Sequence, residues 1–294
     1  MLSLSALLSQ HTCLVADGAW GTELSKLGLG IGEVPETWNA LHPNAVMGIA
    51  RGYREAGAQI VLTNTFGANR LKLTKAGLGD ETAALNQSGA ELSRTAVGDE
   101  ALVFGSIGPT GEFMRPLGLI SEQEMIACFA EQVRALVSGG VDGFVIETMS
   151  DLGEATAALR AVRENSDLPA VVSMTFEQGP AGYATMMGVK PEQAAKGLSS
   201  AGADVIGANC GSGVDVMVGV IRQMAGSANL PLWAKPNAGL PALVEGRTVF
   251  QETPAEFVAH LPALLDAGAR IIGGCCGTTP EHIRAMAAVI NEGS

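Results

Sequence analysis

The sequence predicts an α/β protein folded as a single (β/α)8 TIM barrel over residues 1–294. Three observations carry that expectation. Eight short apolar runs recur along the chain, at 14–16, 59–62, 102–104, 143–146, 170–174, 204–207, 232–234 and 270–272. Near-continuous apolar strands belong to a parallel sheet covered on both faces. Each run leads through Gly, Pro, Asn or Thr into a helix-like stretch, most clearly at 44–56, 121–137, 152–163, 191–201, 254–265 and 280–289. Eight alternating β and α units closing on themselves make a barrel. The composition agrees: 47% hydrophobic and only 16% charged residues supply a large core, while 38 glycines and 4% aromatics suit tight βα turns better than a β-sandwich. A doubly wound open sheet shares the same rhythm and is the alternative topology.

Local signals support the elements in order. Ser121 with Glu124, Thr253-Pro254 and Thr279-Pro280-Glu281 read as helix starts. Gly57, Gly140, Gly202 and Gly268 read as helix C-caps that pass at once into strands two, four, six and eight. The Gly-rich segment 25–36 reads as a long loop over the barrel mouth. No linker, charge run or low-complexity tract divides the chain.

Charge and cysteine usage exclude several classes. A net charge of −12 argues against nucleic-acid partners and against docking on anionic membranes. No apolar run reaches the roughly 18 residues that span a bilayer. The N-terminus lacks a Lys or Arg before its apolar stretch and makes a poor signal peptide. Five cysteines, two of them adjacent, do not suggest a disulfide framework; a cytoplasmic chain with thiol or metal chemistry fits better.

Barrel active sites sit at the C-terminal strand ends. Those ends deliver Asp17-Gly18, Thr63-Asn64-Thr65, Gly105-Ser106, Glu147-Thr148, Thr175, Asn209-Cys210, Lys235-Pro236-Asn237 and Gly273-Gly274-Cys275-Cys276. Cys210 and the Cys275–Cys276 pair come from strands six and eight, near neighbours in a closed barrel. Three thiolates at one rim suit one Zn2+ per chain and leave its fourth position open, as a catalytic zinc does. The plain alternative is three small buried hydrophobes. Cys13 and Cys128 read as packing residues. His11, His42, His260 and His282 read as surface or bottom-face residues.

A zinc bearing three thiolates is a weak Lewis acid, ill suited to activating water. Its natural fourth ligand is a substrate sulfur, held as thiolate because the metal lowers its pKa, and ready to attack an electrophilic carbon without a general base. Asp17 and Glu147 would meet an α-ammonium group. Backbone N–H groups at Gly18 and Ala19, with Thr63, would take the carboxylate. A turn-forming Asp before Gly and an N-cap or ion-paired Glu remain the alternatives. The expected substrate is an amino-acid thiol.

These residues lie in the stretches DGAWGTEL (17–24), TNTFGANRLKL (63–73), GSIGPTGE (105–112), ETMSDL (147–152), GANCGSG (207–213), KPNAG (235–239) and GGCCGTTPEH (273–282). Together they resemble the homocysteine S-methyltransferase family, most of all the N-terminal homocysteine-binding module of cobalamin-dependent methionine synthase. The resemblance implies a (β/α)8 barrel, zinc on Cys210, Cys275 and Cys276, and homocysteine sulfur as fourth ligand. It also implies amino-group contacts from Asp17 and Glu147 with Thr63 nearby, and hydrogen-bonding roles for Asn209 and Asn237. The cobalamin-dependent synthases continue into further modules, and no D-x-H-x-x-G corrinoid-binding signature occurs at the four histidines here. The methyl donor is therefore expected to be a methylcorrinoid on a partner protein, or a small molecule such as S-methylmethionine. Two other readings keep the thiol site: methyl transfer to another thiol in a corrinoid demethylation system, and a non-catalytic thiol- or zinc-binding subunit. Gly28-x-Gly30-x-Gly32 mimics a nucleotide-binding signature but reads as rim loop, since no strand precedes it. Segments 25–36 and 108–117 are expected to move when a bulky donor meets the thiol.

Overall fold

Eight parallel strands form the inner wall in the computed structural model, which describes residues 2–244 and 247–292. They are β1 (Leu14–Val15), β2 (Ile60–Leu62), β3 (Leu102–Ile107), β4 (Gly143–Met149), β5 (Ala170–Met174), β6 (Val205–Cys210), β7 (Leu232–Pro236) and β8 (Ala269–Ile272). The hydrogen-bonded order is β1-β8-β7-β6-β5-β4-β3-β2. The ends of that sheet meet: Ala16 bridges Ile60, the Gln59 N–H donates to the Val15 carbonyl at 2.8 Å, and the Asp17 N–H donates to the Ile60 carbonyl at 2.9 Å. The closed barrel excludes the doubly wound alternative.

Several strands run past the apolar stretches that reveal them in the sequence. β4 continues through Glu147 to Met149, β6 through Asn209 to Cys210 and β7 through Lys235 to Pro236. The ladder persists because backbone pairing is indifferent to side-chain polarity, with Asn209 opposite Lys235 and Cys210 opposite Pro236. The candidate residues on these three strands therefore sit on sheet, not on loops, which fixes their directions.

Side chains from alternate strand positions fill the barrel, among them Leu14, Ile60, Leu62, Phe104, Val145, Val171, Val205, Trp233 and Ile271. Gly143 makes room for Phe104, since a Cβ there would lie 2.6 Å from the ring. A short helix, Leu4–Gln10, plugs the bottom with Leu4 and Leu7. A second, larger cluster packs the outer strand faces against the helices. Each fully buried large apolar side chain contributes about 1.5–3 kcal/mol.

The helix punctuation follows the expected chemistry. Ser121 with Glu124 and Thr253 with Glu256 both form capping boxes. Gly57, Gly140, Gly202 and Gly268 all adopt positive φ, between +84° and +104°, the left-handed turn that glycine makes at low cost. The expected helix 254–265 is two, Pro254–Ala259 and Leu261–Asp266. Pro262 explains the break: it offers no N–H and its ring clashes with the preceding turn. Segment 25–36 is only partly a loop, since helix Gly21–Lys26 includes its first two residues and a 3₁₀ turn begins at Pro35. Helix Thr82–Val97 and two rim hairpins, Glu177–Gly179 with Gly182–Ala184 and Pro241–Val244 with Arg247–Phe250, complete the outer layer. Among the described residues no helix is long and apolar enough to cross a membrane.

Candidate active site

The three cysteines converge at the mouth. The Sγ atoms of Cys210, Cys275 and Cys276 all lie within 4.8 Å of one another. Among the described residues this is the one group of three or more His, Cys, Asp or Glu side chains placed to share a metal ion. Tetrahedral zinc with sulfur at about 2.3 Å separates its thiolates by about 3.8 Å, so the trio fits with small adjustments. The thiols already interact. Cys210 is pulled far below the usual thiol range by hydrogen bonds from Cys275, Cys276 and Asn237. Cys275 and Cys276 are pushed up as the partners of that thiolate, with burial adding to the effect. The three thiols therefore titrate as one coupled group. Cys13 and Cys128 are buried elsewhere in the packing, and all five cysteines are free.

Backbone ties hold the sulfurs in place. The Cys275 N–H donates to the Pro236 carbonyl at 2.8 Å, and the Ala238 N–H donates to the Cys276 carbonyl at 3.0 Å. Thr278 closes the turn by donating to the Cys275 carbonyl at 2.8 Å while accepting from the Ala19 N–H at 3.1 Å. Gly18 has no room for a side chain: a Cβ would meet Thr278 and Tyr53 at 2.8 Å. The β1 loop and the cysteine turn after β8 are therefore packed as one unit.

Glu147 lies at a register shift in β4, between Ile146 and Met149. Thr148 beside it has φ of +62°, and Cys210 has φ of +63°; they are the only non-glycine residues in the left-handed region among those described. Such positions cost about 1–3 kcal/mol each and persist only where surroundings fix them. Asn209 is what fixes the first. Its Oδ1 accepts from the Thr148 N–H at 2.8 Å and from Ser173 Oγ at 2.7 Å. Its Nδ2 donates to Thr148 Oγ1 at 2.7 Å and reaches Cys275 Sγ at 3.8 Å. One amide thus links the bulge that carries Glu147 to one of the three clustered thiols. Asn237 donates to the Gly211 carbonyl at 2.9 Å, bracing the turn after Cys210, and its Oδ1 is buried without a partner.

Glu147 accepts from Ser106 Oγ at 2.5 Å and is otherwise short of partners. Burial dominates its titration and raises its pKa, with Lys235 and Ser106 opposing. Asp17 stands differently. It is fully buried, and both its oxygens are engaged: Oδ1 by Lys235 Nζ at 2.6 Å, Oδ2 by Trp20 Nε1 at 2.9 Å and by the Leu62 N–H at 2.8 Å. The cation that sequence reasoning sought for Asp17 is built into the chain. The strand-end sequence brings Lys235 to the mouth but gives it no role, although a lysine inside the buried run LWAKP is itself a signal. Burial alone would depress its pKa, but Asp17 and Glu147 hold it above the usual lysine value. Thr63 is also occupied. Thr65 Oγ1 donates to the Ser106 carbonyl, so Thr63 gives its own proton to Thr65 at 2.6 Å and accepts from the Ser106 N–H at 3.0 Å.

One of the four histidines departs from expectation. His282 is buried, accepting from the Thr279 N–H at 3.2 Å and facing the Glu252 carbonyl at 3.0 Å. It starts the helix that follows β8 and so belongs to the mouth side, where Glu252 and the Phe257 ring lie against it; a lone histidine carries no sequence sign of that cover. Gly28 and Gly32 lie in turns after a helix, not between a strand and a helix, which leaves them as rim loop.

Fold and site together define a parallel (β/α)8 barrel whose mouth gathers three thiols, close enough to share a metal ion, beside buried acids. The homocysteine S-methyltransferase family model matches residues 14–290, and the chain belongs to that family. It is 32% identical to methionine synthase of Mycobacterium leprae (strain TN) over 302 aligned positions, covering 96% of this chain. Methionine synthase of Mycobacterium tuberculosis is 33% identical over the same share. The chain spans 25% of the length of those two relatives. Among solved structures, the metallated homocysteine methyltransferase MmuM of Escherichia coli superposes with a TM-score of 0.82 at 26% identity, covering 97% of this chain and 99% of that one.

Proposed function

We propose that this chain transfers a methyl group to the thiolate of homocysteine, giving methionine. The observation that carries the reading is the convergence of Cys210, Cys275 and Cys276 beside Glu147 at one barrel mouth. The three cysteines would hold one Zn2+, and when bound it would supply an open position that keeps the substrate sulfur ionised at neutral pH. Glu147 receives the α-ammonium of the amino-acid thiol, and Asp17 with Gly18 forms the wall behind it. Thr63 and Ser106 orient Glu147. Asn209 and Asn237 hold the bulge and the turn that aim it and Cys210. The thiolate attacks the methyl carbon of the donor. A carbon–sulfur bond forms as the donor's bond to that carbon breaks, and the electron pair stays with the donor. That donor is a methylcorrinoid protein or S-methylmethionine. Five free cysteines support a reducing compartment, the cytoplasm, as its location.

The test is metal analysis with a donor screen. Purified protein should carry about one zinc per chain, and Cys210→Ala should lose both the metal and methionine formation. Full activity in a zinc-free preparation refutes the reading.

A further inference from the structure

The Sγ atoms of Cys210, Cys275 and Cys276 lie within 4.8 Å of one another, and among the described residues no fourth His, Cys, Asp or Glu joins them. All three are free and half-buried, so a small solute reaches them. Cys13 and Cys128 are buried and stand apart from the trio. The trio is also prebuilt. The Cys275 N–H is fixed to the Pro236 carbonyl, the Cys276 carbonyl to the Ala238 N–H, and Asn237 braces the turn after Cys210 through the Gly211 carbonyl. Three sulfurs alone do not complete a tetrahedral ion. They do complete a soft trivalent centre, whose three bonds form a pyramid and whose lone pair fills the fourth direction. Charge decides which such species enters. The chain carries a net charge of −12, and its mouth buries two acids, Asp17 and Glu147, against one lysine, Lys235. Anions are disfavoured there, whereas an uncharged hydroxide is not. Trivalent arsenic in neutral water is such a species, arsenous acid.

We propose that Cys210, Cys275 and Cys276 are a binding site for trivalent arsenic, taken up as arsenous acid. Each Sγ replaces one hydroxyl. Three arsenic–sulfur bonds form, three arsenic–oxygen bonds break, and the three thiol protons leave with the hydroxyls as three waters. Arsenic stays trivalent, so no oxidant or reductant takes part. The bound arsenic occupies every thiol that a metal would use and leaves no open position, so it excludes both zinc and a substrate sulfur. The exclusion of a substrate sulfur rests on the homocysteine reading above; the uptake itself rests on the thiols alone.

The test is titration of the metal-free chain with sodium arsenite, read by native mass spectrometry and by the near-ultraviolet sulfur-to-arsenic absorption. The expected result is one arsenic per chain with loss of three hydrogens, while free thiols fall from five to two. No species should carry arsenic and zinc together. Cys210→Ser, Cys275→Ser and Cys276→Ser, each checked by its melting profile, leave two thiols and should bind about 100-fold more weakly, because the third bond is intramolecular. Cys128→Ala should bind as the parent does. Arsenic that keeps a hydroxyl by mass, only two thiols consumed, a species holding both elements, or a folded serine variant that matches the parent overturns the assignment. The mass and thiol count of the parent decide it even where a variant does not fold. A chain that takes up zinc and forms methionine yet ignores arsenite overturns the arsenic site and leaves the proposed function standing. One that binds arsenic but forms no methionine does the reverse.

Discussion

Asn209→Ala should test whether one amide couples the two halves of the mouth. The side chain is buried and makes two accepting contacts, from the Thr148 N–H at 2.8 Å and Ser173 Oγ at 2.7 Å, besides its donations to Thr148 Oγ1 and Cys275 Sγ. Alanine leaves the buried Ser173 hydroxyl and the part-buried Thr148 N–H without acceptors. At about 1–3 kcal/mol for each stranded group, the loss is about 2–6 kcal/mol. For a chain of this size that lowers the melting temperature by roughly 5–20 °C. Thr148 also loses the ties that hold its φ at +62°, so the bulge relaxes and Glu147 loses its aim. Homocysteine binding should therefore weaken together with stability. Asn209→Asp keeps both accepting contacts, so it should melt closer to the parent, but it sets a negative charge beside the thiols and should weaken zinc. The assays are denaturant unfolding of metal-free protein and zinc titration against a competing chelator. An Asn209→Ala protein within about 0.5 kcal/mol of the parent would refute the clamp.

Other outcomes follow from the same geometry. Asp17→Asn leaves Lys235 buried opposite a neutral amide and should cost about 3–5 kcal/mol, measured by urea unfolding, with D17N/K235M recovering much of it; equal stability of the single and double variants would contradict the pairing. Glu154 accepts from the Thr110 N–H at 2.7 Å and Thr110 Oγ1 at 2.6 Å, and burial raises its pKa against those contacts. The folded state therefore binds the Glu154 proton more tightly than the unfolded chain does. Its contribution is fully present below the ordinary glutamate value and is lost as pH rises through the raised folded value. Glu154→Gln, which keeps an acceptor for Thr110, should gain stability relative to the parent between acidic and mildly alkaline pH; a gap independent of pH would contradict this.

The sequence by itself determined the barrel. Strand runs, capping boxes at Ser121 and Thr253 and four C-cap glycines are local signals, and each acts through its own backbone. It also determined which residues reach the mouth, because β-strand ends in a closed parallel barrel point one way. The thiol trio was legible for that reason: Cys210 and the Cys275–Cys276 pair stand at the ends of near-neighbour strands. Tertiary structure decided how the polar groups pair. Asp17 and Lys235 are 218 positions apart, and no periodicity says that the lysine fills the place left for a ligand's ammonium. Nor does local sequence reveal that Asn209 props a left-handed residue 61 positions away. Charge pairing in a buried mouth depends on distances of a few ångströms between strands, and those are set only when the barrel closes.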